Sequence, residues 1–170
     1  MHELIPYIVI SPLLGFLING FFGSRYKNKN IAGWIGTLAV TISFVIACGV
    51  FAEMLSAPAE ERAISYKLLD WLSVGKINVG ISYLIDQLSI IFILVITGVG
   101  ALIHLYSTGY MKGDPGYARF FTYLNLFIVM MLQLVMADNF LLTFLGWEGV
   151  GLCSYLLIGF WYEEKKNGDA

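Results

Sequence analysis

Apolar residues run through this chain in long stretches broken by short polar connections. Five stretches approach the roughly 20 residues that a membrane-crossing helix needs: 4–22, 31–55, 88–106, 118–136 and 140–161. The first resembles a signal peptide in length. Its flank Met1-His2-Glu3 lacks basic residues, however, and no small-residue cleavage site follows Phe22, so a retained span is predicted. The one long connection, 56–87, carries two runs rich in apolar residues around Gly75. Ile77, Val79, Ile81 and Tyr83 alternate onto one face, which predicts a β-hairpin. The first run, from Tyr66 to Leu72, alternates poorly, and an interfacial amphipathic turn is the competing reading. The expectation is a single all-α integral membrane domain, 1–170, a bundle of about five transmembrane helices with an extracytoplasmic hairpin.

Composition agrees with lipid as the solvent. Hydrophobic residues make up 58% of the 170, charged residues 13%, and the mean hydropathy is +0.76. A soluble domain carries about 25% charged residues. The net charge of −2 gives no basis for a nucleic-acid partner. Cys48 and Cys153 lie in separate apolar runs with no CxxC spacing, which gives no disulfide framework and no zinc site. Basic residues sort by connection. Arg25, Lys27, Lys29, Lys112, Arg119, Lys165 and Lys166 fall on one side, and Arg62, Lys67 and Lys76 on the other. Positive charge stays in the cytoplasm, so the amino terminus is predicted outside and the carboxyl tail inside.

An ionisable side chain within an apolar span is costly and is a functional candidate by default. The candidates are Glu148 and His104, with the neutral Asn19, Asn125 and Gln133; Lys112, Arg119, Asp86 and Asp138 fall at span ends. Glu148 is about nine residues into its span, roughly 12 Å from the outer end, close to the centre of a layer about 30 Å thick. No basic residue lies within a turn of it. A lone carboxyl there is expected to be buried, with either charge state reachable under a small push from a neighbouring charge. Gly146, Gly149 and Gly151 leave room for another helix backbone and for water, and Tyr155 returns to the same face. The competing reading is a protonated Glu148 that hydrogen-bonds across a helix pair without any transport role.

His104, one turn after Gly100, reads either as a proton-relaying imidazole or as a histidine satisfied by a backbone carbonyl. On the residues alone the second is slightly favoured. Haem between two histidines is disfavoured, because His2 lies outside the first span. Asn125 and Gln133 point roughly 80° apart on one helix and are expected to hydrogen-bond between helices. Trp147 lies too deep for an interface anchor and is expected to pack between helices, whereas Tyr110, Trp161 and Tyr162 suit the interface.

The run 146–161, Gly-Trp-Glu-Gly-Val-Gly-Leu-Cys-Ser-Tyr-Leu-Leu-Ile-Gly-Phe-Trp, closely resembles the signature of the subunit L family of NADH:quinone oxidoreductase, respiratory complex I, the counterpart of mitochondrial chain 5. Blocks at 71–75, 97–104, 119–127 and 137–139 are similar to the same family, in the same order. The resemblance implies an antiporter-like fold of inverted five-helix repeats, with this chain holding the leading helices and the start of the first repeat of a longer subunit. It implies that Glu148 is the carboxylate that pairs with a lysine on a later, broken helix, beyond residue 170. Breaking and remaking that pair would drive a proton along a central polar axis, so this stretch alone would not pump. The hairpin would contact a neighbouring subunit.

The expected function is therefore proton translocation, as a membrane subunit of NADH:quinone oxidoreductase in the bacterial inner (plasma) membrane. Glu148 would be the switch, His104 a candidate relay, and Asp138 a candidate charge near the outer mouth. No redox chemistry, cofactor or metal is expected in this chain, which has no GxGxxG and no cysteine set. Flavin, iron–sulfur clusters and quinone would belong to other subunits. The expected partners are lipid, protons and other complex I membrane subunits, especially antiporter-like neighbours. Two rival readings are the large subunit of a multisubunit sodium/proton antiporter, and a non-transporting scaffold whose Glu148 only holds helices together.

Overall fold

The computed structural model describes residues 2–58, 60, 62–75 and 77–163. Five helices dominate them: α1 (Ile5–Phe22), α2 (Asn30–Ser56), α3 (Gln87–Tyr110), α4 (Tyr117–Met136) and α5 (Phe140–Ile158). Each is long and apolar enough to cross a membrane. α1 packs on α2 and α4, α2 also on α3 and α4, and α3 on α4; α5 lies chiefly against α4. Apolar side chains such as Ile8, Val40, Ile93 and Leu132 fill the centre of the four-helix body.

Small and hydroxyl side chains let the helices meet closely. Pro12 sits inside α1 and has no N–H to give the Ile8 carbonyl one turn back. The Ser43 hydroxyl on α2 donates to that carbonyl instead, at 2.6 Å, and the Ser11 hydroxyl donates to Ala39 O at 2.6 Å. The Ile8 carbonyl would otherwise face an apolar interior with no water to replace the bond, whereas Ala39 O already accepts the helix bond one turn on and takes the Ser11 hydroxyl as a second donor. A Cβ on Gly15 would stand 2.9 Å from the Ala39 methyl, so only glycine allows this approach.

Between α2 and α3 lies an antiparallel hairpin of β1 (Ile64–Val74) and β2 (Ile77–Ile85), with register Ile64↔Ile85 through Val74↔Ile77. Gly75 turns the chain with φ +60. Register shifts between Lys67 and Leu69, and again between Asp70 and Leu72, mark two bulges. Each bulge resets the side-chain phase, which is why the first run shows no clean alternation.

Two helix ends depart from the apolar runs. α3 continues to Tyr110, four residues past the predicted end. α5 stops at Ile158, and Gly159 begins a turn that carries Phe160 into a cluster with Phe120 and Tyr123, beneath the Arg119 guanidinium at 4.8 Å. The hairpin, the start of α3 and the α4–α5 turn share one end of the bundle. Arg25, Lys27, Lys29, Lys112 and Arg119 fall at the other.

Candidate functional site

α5 is apolar on every side, so close packing on α4 decides which face it covers. A Cβ on Gly146 would lie 2.6 Å from the Leu134 backbone nitrogen, and one on Gly149 would overlap the Met130 side chain. These glycines, with the buried Leu142 and Cys153, form the stripe against α4. Glu148 points the other way, since two residues along a helix turn the side chain by roughly 200°. It is exposed, at the middle of an apolar face of Leu141, Phe144, Leu145, Leu152 and Tyr155 that none of the other four helices covers. Within this stretch of chain the glycine face, not the Glu148 face, meets α4. Among the described residues Glu148 has no hydrogen-bond or ion-pair partner. A Cβ on Gly151 would meet nothing within 4 Å, which leaves space beside the carboxyl. Trp147, expected between helices, is instead 68% exposed on the same uncovered side.

His104 occupies different surroundings. It is fully buried in the four-helix body, and its Nδ1 donates to Gly100 O at 2.8 Å. A carbonyl only accepts, so the proton resides on Nδ1 and Nε2 is an acceptor. That nitrogen is buried without a protein partner. The ring thus has its backbone carbonyl and also a free acceptor.

Asn125 and Gln133 are both buried on α4, but neither bonds to another helix. Asn125 Nδ2 donates to Phe121 O of its own helix at 2.9 Å, while Gln133 Oε1 accepts from the Tyr83 hydroxyl of β2 at 3.1 Å. The reason is proximity: a glycine-lined groove beside Asn125 holds no donor, and the hairpin reaches down over Gln133. Burial raises the Tyr83 phenol above its usual pKa of 10.0, keeping it a donor.

Asp138 is exposed at the α4–α5 turn, beside the hairpin. Its backbone N–H donates to Ser82 O at 3.2 Å, and Asn139 Nδ2 donates to Gly80 O at 3.0 Å. Asn139 Oδ1 also caps α5 by accepting from Leu142 N–H. At the start of α3, Asp86 and Ser89 form a reciprocal capping box. The Ser89 N–H and hydroxyl hold the Asp86 carboxyl below its ordinary value of 3.8.

The structure does not bring Glu148, His104 and Asp138 together: they lie on an uncovered face, in a helix interior and at a turn. One further carboxylate escaped the sequence reading. Glu53 is half-buried near the end of α2, and the signal available was its position within an apolar run.

These features define a multi-span membrane bundle with a lone carboxylate on a helix face that none of the other four helices covers. The family model described as "NADH-Ubiquinone oxidoreductase (complex I), chain 5 N-terminus" matches residues 71–121, and that described as "NADH:quinone oxidoreductase/Mrp antiporter, TM" matches residues 137–170. NADH-quinone oxidoreductase subunit L of Escherichia coli is 44% identical over 168 residues, 99% of this chain and 27% of the relative. The Mycobacterium tuberculosis protein of the same name is 47% identical over 166 residues, 96% of this chain and 25% of the relative. The chain thus spans about a quarter of the length of these curated relatives. A chain from the membrane-bound sulfane sulfur reductase, an archaeal respiratory membrane complex, shares the fold: TM-score 0.69 at 21% identity, covering 90% of this chain and 22% of that one. The chain belongs to the complex I chain 5, or subunit L, family of antiporter-like membrane proteins.

Proposed function

We propose that this chain forms the leading helices of a proton-translocating subunit of NADH:quinone oxidoreductase, with Glu148 as its switching carboxylate. The observation that carries the reading is Glu148 itself, an acid without a partner among the described residues, at the middle of an apolar face. In the working subunit, helices beyond residue 170 cover this face and bring a lysine to it. With the lysine close, the carboxylate is held charged; with the lysine withdrawn, an isolated charge in hydrocarbon is costly and a proton is taken up. Redox energy reaches this pair from flavin, iron–sulfur and quinone chemistry in other subunits. His104 serves as a relay, and Asp138 as a charge at the outer mouth.

The basic end of the bundle faces the cytoplasm in this reading, and the hairpin faces the periplasmic side of the inner membrane, against a neighbouring antiporter-like subunit. The name of the family model over 137–170 also keeps a multisubunit antiporter in play; co-purification with iron–sulfur subunits separates the two. The decisive experiment replaces Glu148 by Gln in the full-length subunit of the assembled complex. NADH oxidation should continue in vesicles treated with an uncoupler, while in sealed, untreated vesicles the protons moved per NADH fall. Undiminished pumping by a normally assembled Glu148→Gln complex ends the switch assignment, and loss of assembly supports the scaffold reading.

A further inference from the structure

At the basic end of the four-helix body lies a cleft of about 590 Å³, lined among others by Asn19, Gly20, Lys29, Arg119 and Thr122. At the cleft Asn19 is only 2% exposed, with Oδ1 buried and unpartnered. Deeper in, Asn125 and His104 are 0% exposed, and Asn125 Oδ1 and His104 Nε2 are likewise buried without protein partners. The three side chains come from α1, α4 and α3, yet each uses its N–H in the same way. Asn19 Nδ2 donates to Ala32 O at 2.9 Å, Asn125 Nδ2 to Phe121 O at 2.9 Å, and His104 Nδ1 to Gly100 O at 2.8 Å. What remains is one unpartnered acceptor on each side chain, together with the second amide hydrogen of Asn19 and of Asn125.

Glycines place these acceptors in order. Gly15 lies one turn deeper on α1 than Asn19, and a Cβ there would stand 2.6 Å from Asn125 Oδ1. Gly36 of α2 lies between the next pair: a Cβ on it would be 2.5 Å from Asn125 Nδ2 and 3.5 Å from His104 Cδ2, the carbon bonded to Nε2. The acceptors therefore step from the cleft to Asn125 and then to the Nε2 end of His104.

We propose that α1–α4 hold a file of internal water that enters at this cleft and ends on His104 Nε2, a proton-accepting spur separate from the Glu148 face. A buried acceptor needs a ligand that donates hydrogen, while Asn19 and Asn125 each keep a second Nδ2 hydrogen that needs an acceptor, and water supplies both at a polar site. Lys29 and Arg119 at the mouth outnumber Glu163, the carboxylate that also lines it, which disfavours a metal cation. A proton passed along the file binds the Nε2 lone pair, giving an imidazolium that keeps its Nδ1 bond to Gly100, and it leaves by the same nitrogen. Hydration of the spur stands apart from the role of Glu148; supply of its protons to pumping rests on the function proposed above.

The test uses the full-length subunit in the assembled complex. A cryo-electron map that resolves ordered water should show density within hydrogen-bond distance of Asn19 Oδ1, Asn125 Oδ1 and His104 Nε2, continuous with the cleft. Radiolytic hydroxyl labelling should modify the buried Phe121, which lies beside this route. Asn125→Leu, which keeps the volume and removes the acceptor, should abolish the density next to His104 and lower the labelling several-fold. A dry interface in the wild-type map, or labelling unchanged by Asn125→Leu, overturns the proposal. So does density that appears only in sodium buffers, which would make this a cation site. Should Asn125→Leu prevent assembly, Asn19→Ala at the mouth supplies the same comparison. Pumping by Glu148→Gln is measured in parallel: if it persists while the water density stands, the switch reading fails and the spur survives. If Asn125→Leu dries the spur but pumping is unaffected, the proton-delivery role is overturned.

Discussion

The contact that aims Glu148 away from the body is glycine against backbone, and it can be perturbed one methyl at a time. In Gly146→Ala the new Cβ would stand 2.6 Å from Leu134 N, 2.7 Å from Leu134 Cα and 2.9 Å from its Cβ. Two of those atoms are main chain of a packed helix and cannot rotate away. Relief requires α5 to move off α4 by nearly an ångström or to roll about its axis. Overpacking of this kind costs about 1–3 kcal/mol, less the few tenths to about 1 kcal/mol that Gly→Ala returns in helix propensity. Gly109→Ala near the end of α3, away from the Glu148 face, is the internal control, because its Cβ meets nothing within 4 Å; it should leave stability unchanged or raise it by up to about 1 kcal/mol. The assay is thermal inactivation of each full-length variant in the assembled complex, followed through proton pumping and through retention of the subunit on gels. Gly146→Ala should inactivate at lower temperature and pump less per NADH even when intact, since the displaced helix carries Glu148 with it. If Gly146→Ala matches the wild type in both measurements, the α4–α5 contact does not set the position of Glu148.

Ser43→Ala should destabilise the subunit by about 1–3 kcal/mol, because the Ile8 carbonyl freed by Pro12 loses its donor in an apolar interior. Adding Pro12→Ala, which restores an N–H one turn along α1, should recover much of that loss in the same thermal assay. Asp86→Ala should cost about 1 kcal/mol at the start of α3, seen as faster amide exchange there. The Asp86 pKa is lowered in the fold, so the cap's contribution is complete above the ordinary carboxyl value of 3.8 and fades as pH falls below it. The protection of the Leu88 and Ser89 amides, taken relative to the intrinsic exchange rate at each pH, should therefore fall in acid in the wild type but not in Asp86→Ala.

The spans were readable because hydrocarbon tolerates only long apolar runs whose backbone bonds are closed internally. Their ends were less so. Ser107, Thr108 and Gly109 look like the start of a loop, yet the helix continues: the Thr108 hydroxyl bonds back to Leu105 O, and Tyr106 stacks on Tyr110. The second hairpin strand announced itself by alternation, whereas the bulges of the first hid it. Glu148 stood out as an acid in an apolar run, but its direction did not, since a helix that is apolar all round carries no pattern to say which side meets a neighbour. Only the pairing of Gly146 and Gly149 with Leu134 and Met130 decides it. The convergence of Asn19, Asn125 and His104 was beyond sequence reading altogether, because each sits on a different helix and nothing local records that Asn125 packs directly against Gly15 and Gly36.

The α4–α5 turn is sewn to the hairpin by Asp138 N–H on Ser82 O and by the Asn139 amide on Gly80 O, and Tyr83 pairs with Ala137 across the same seam. One of these stitches and the bridge use main-chain atoms on both sides, so exchanging the Asp138 carboxylate for another group would strip charge from the surface and leave the seam closed. A neighbour that tugs the hairpin therefore pulls on the first turn of α5, roughly 12 Å above Glu148, through a joint that is indifferent to the side chain at 138 and draws on one only at Asn139.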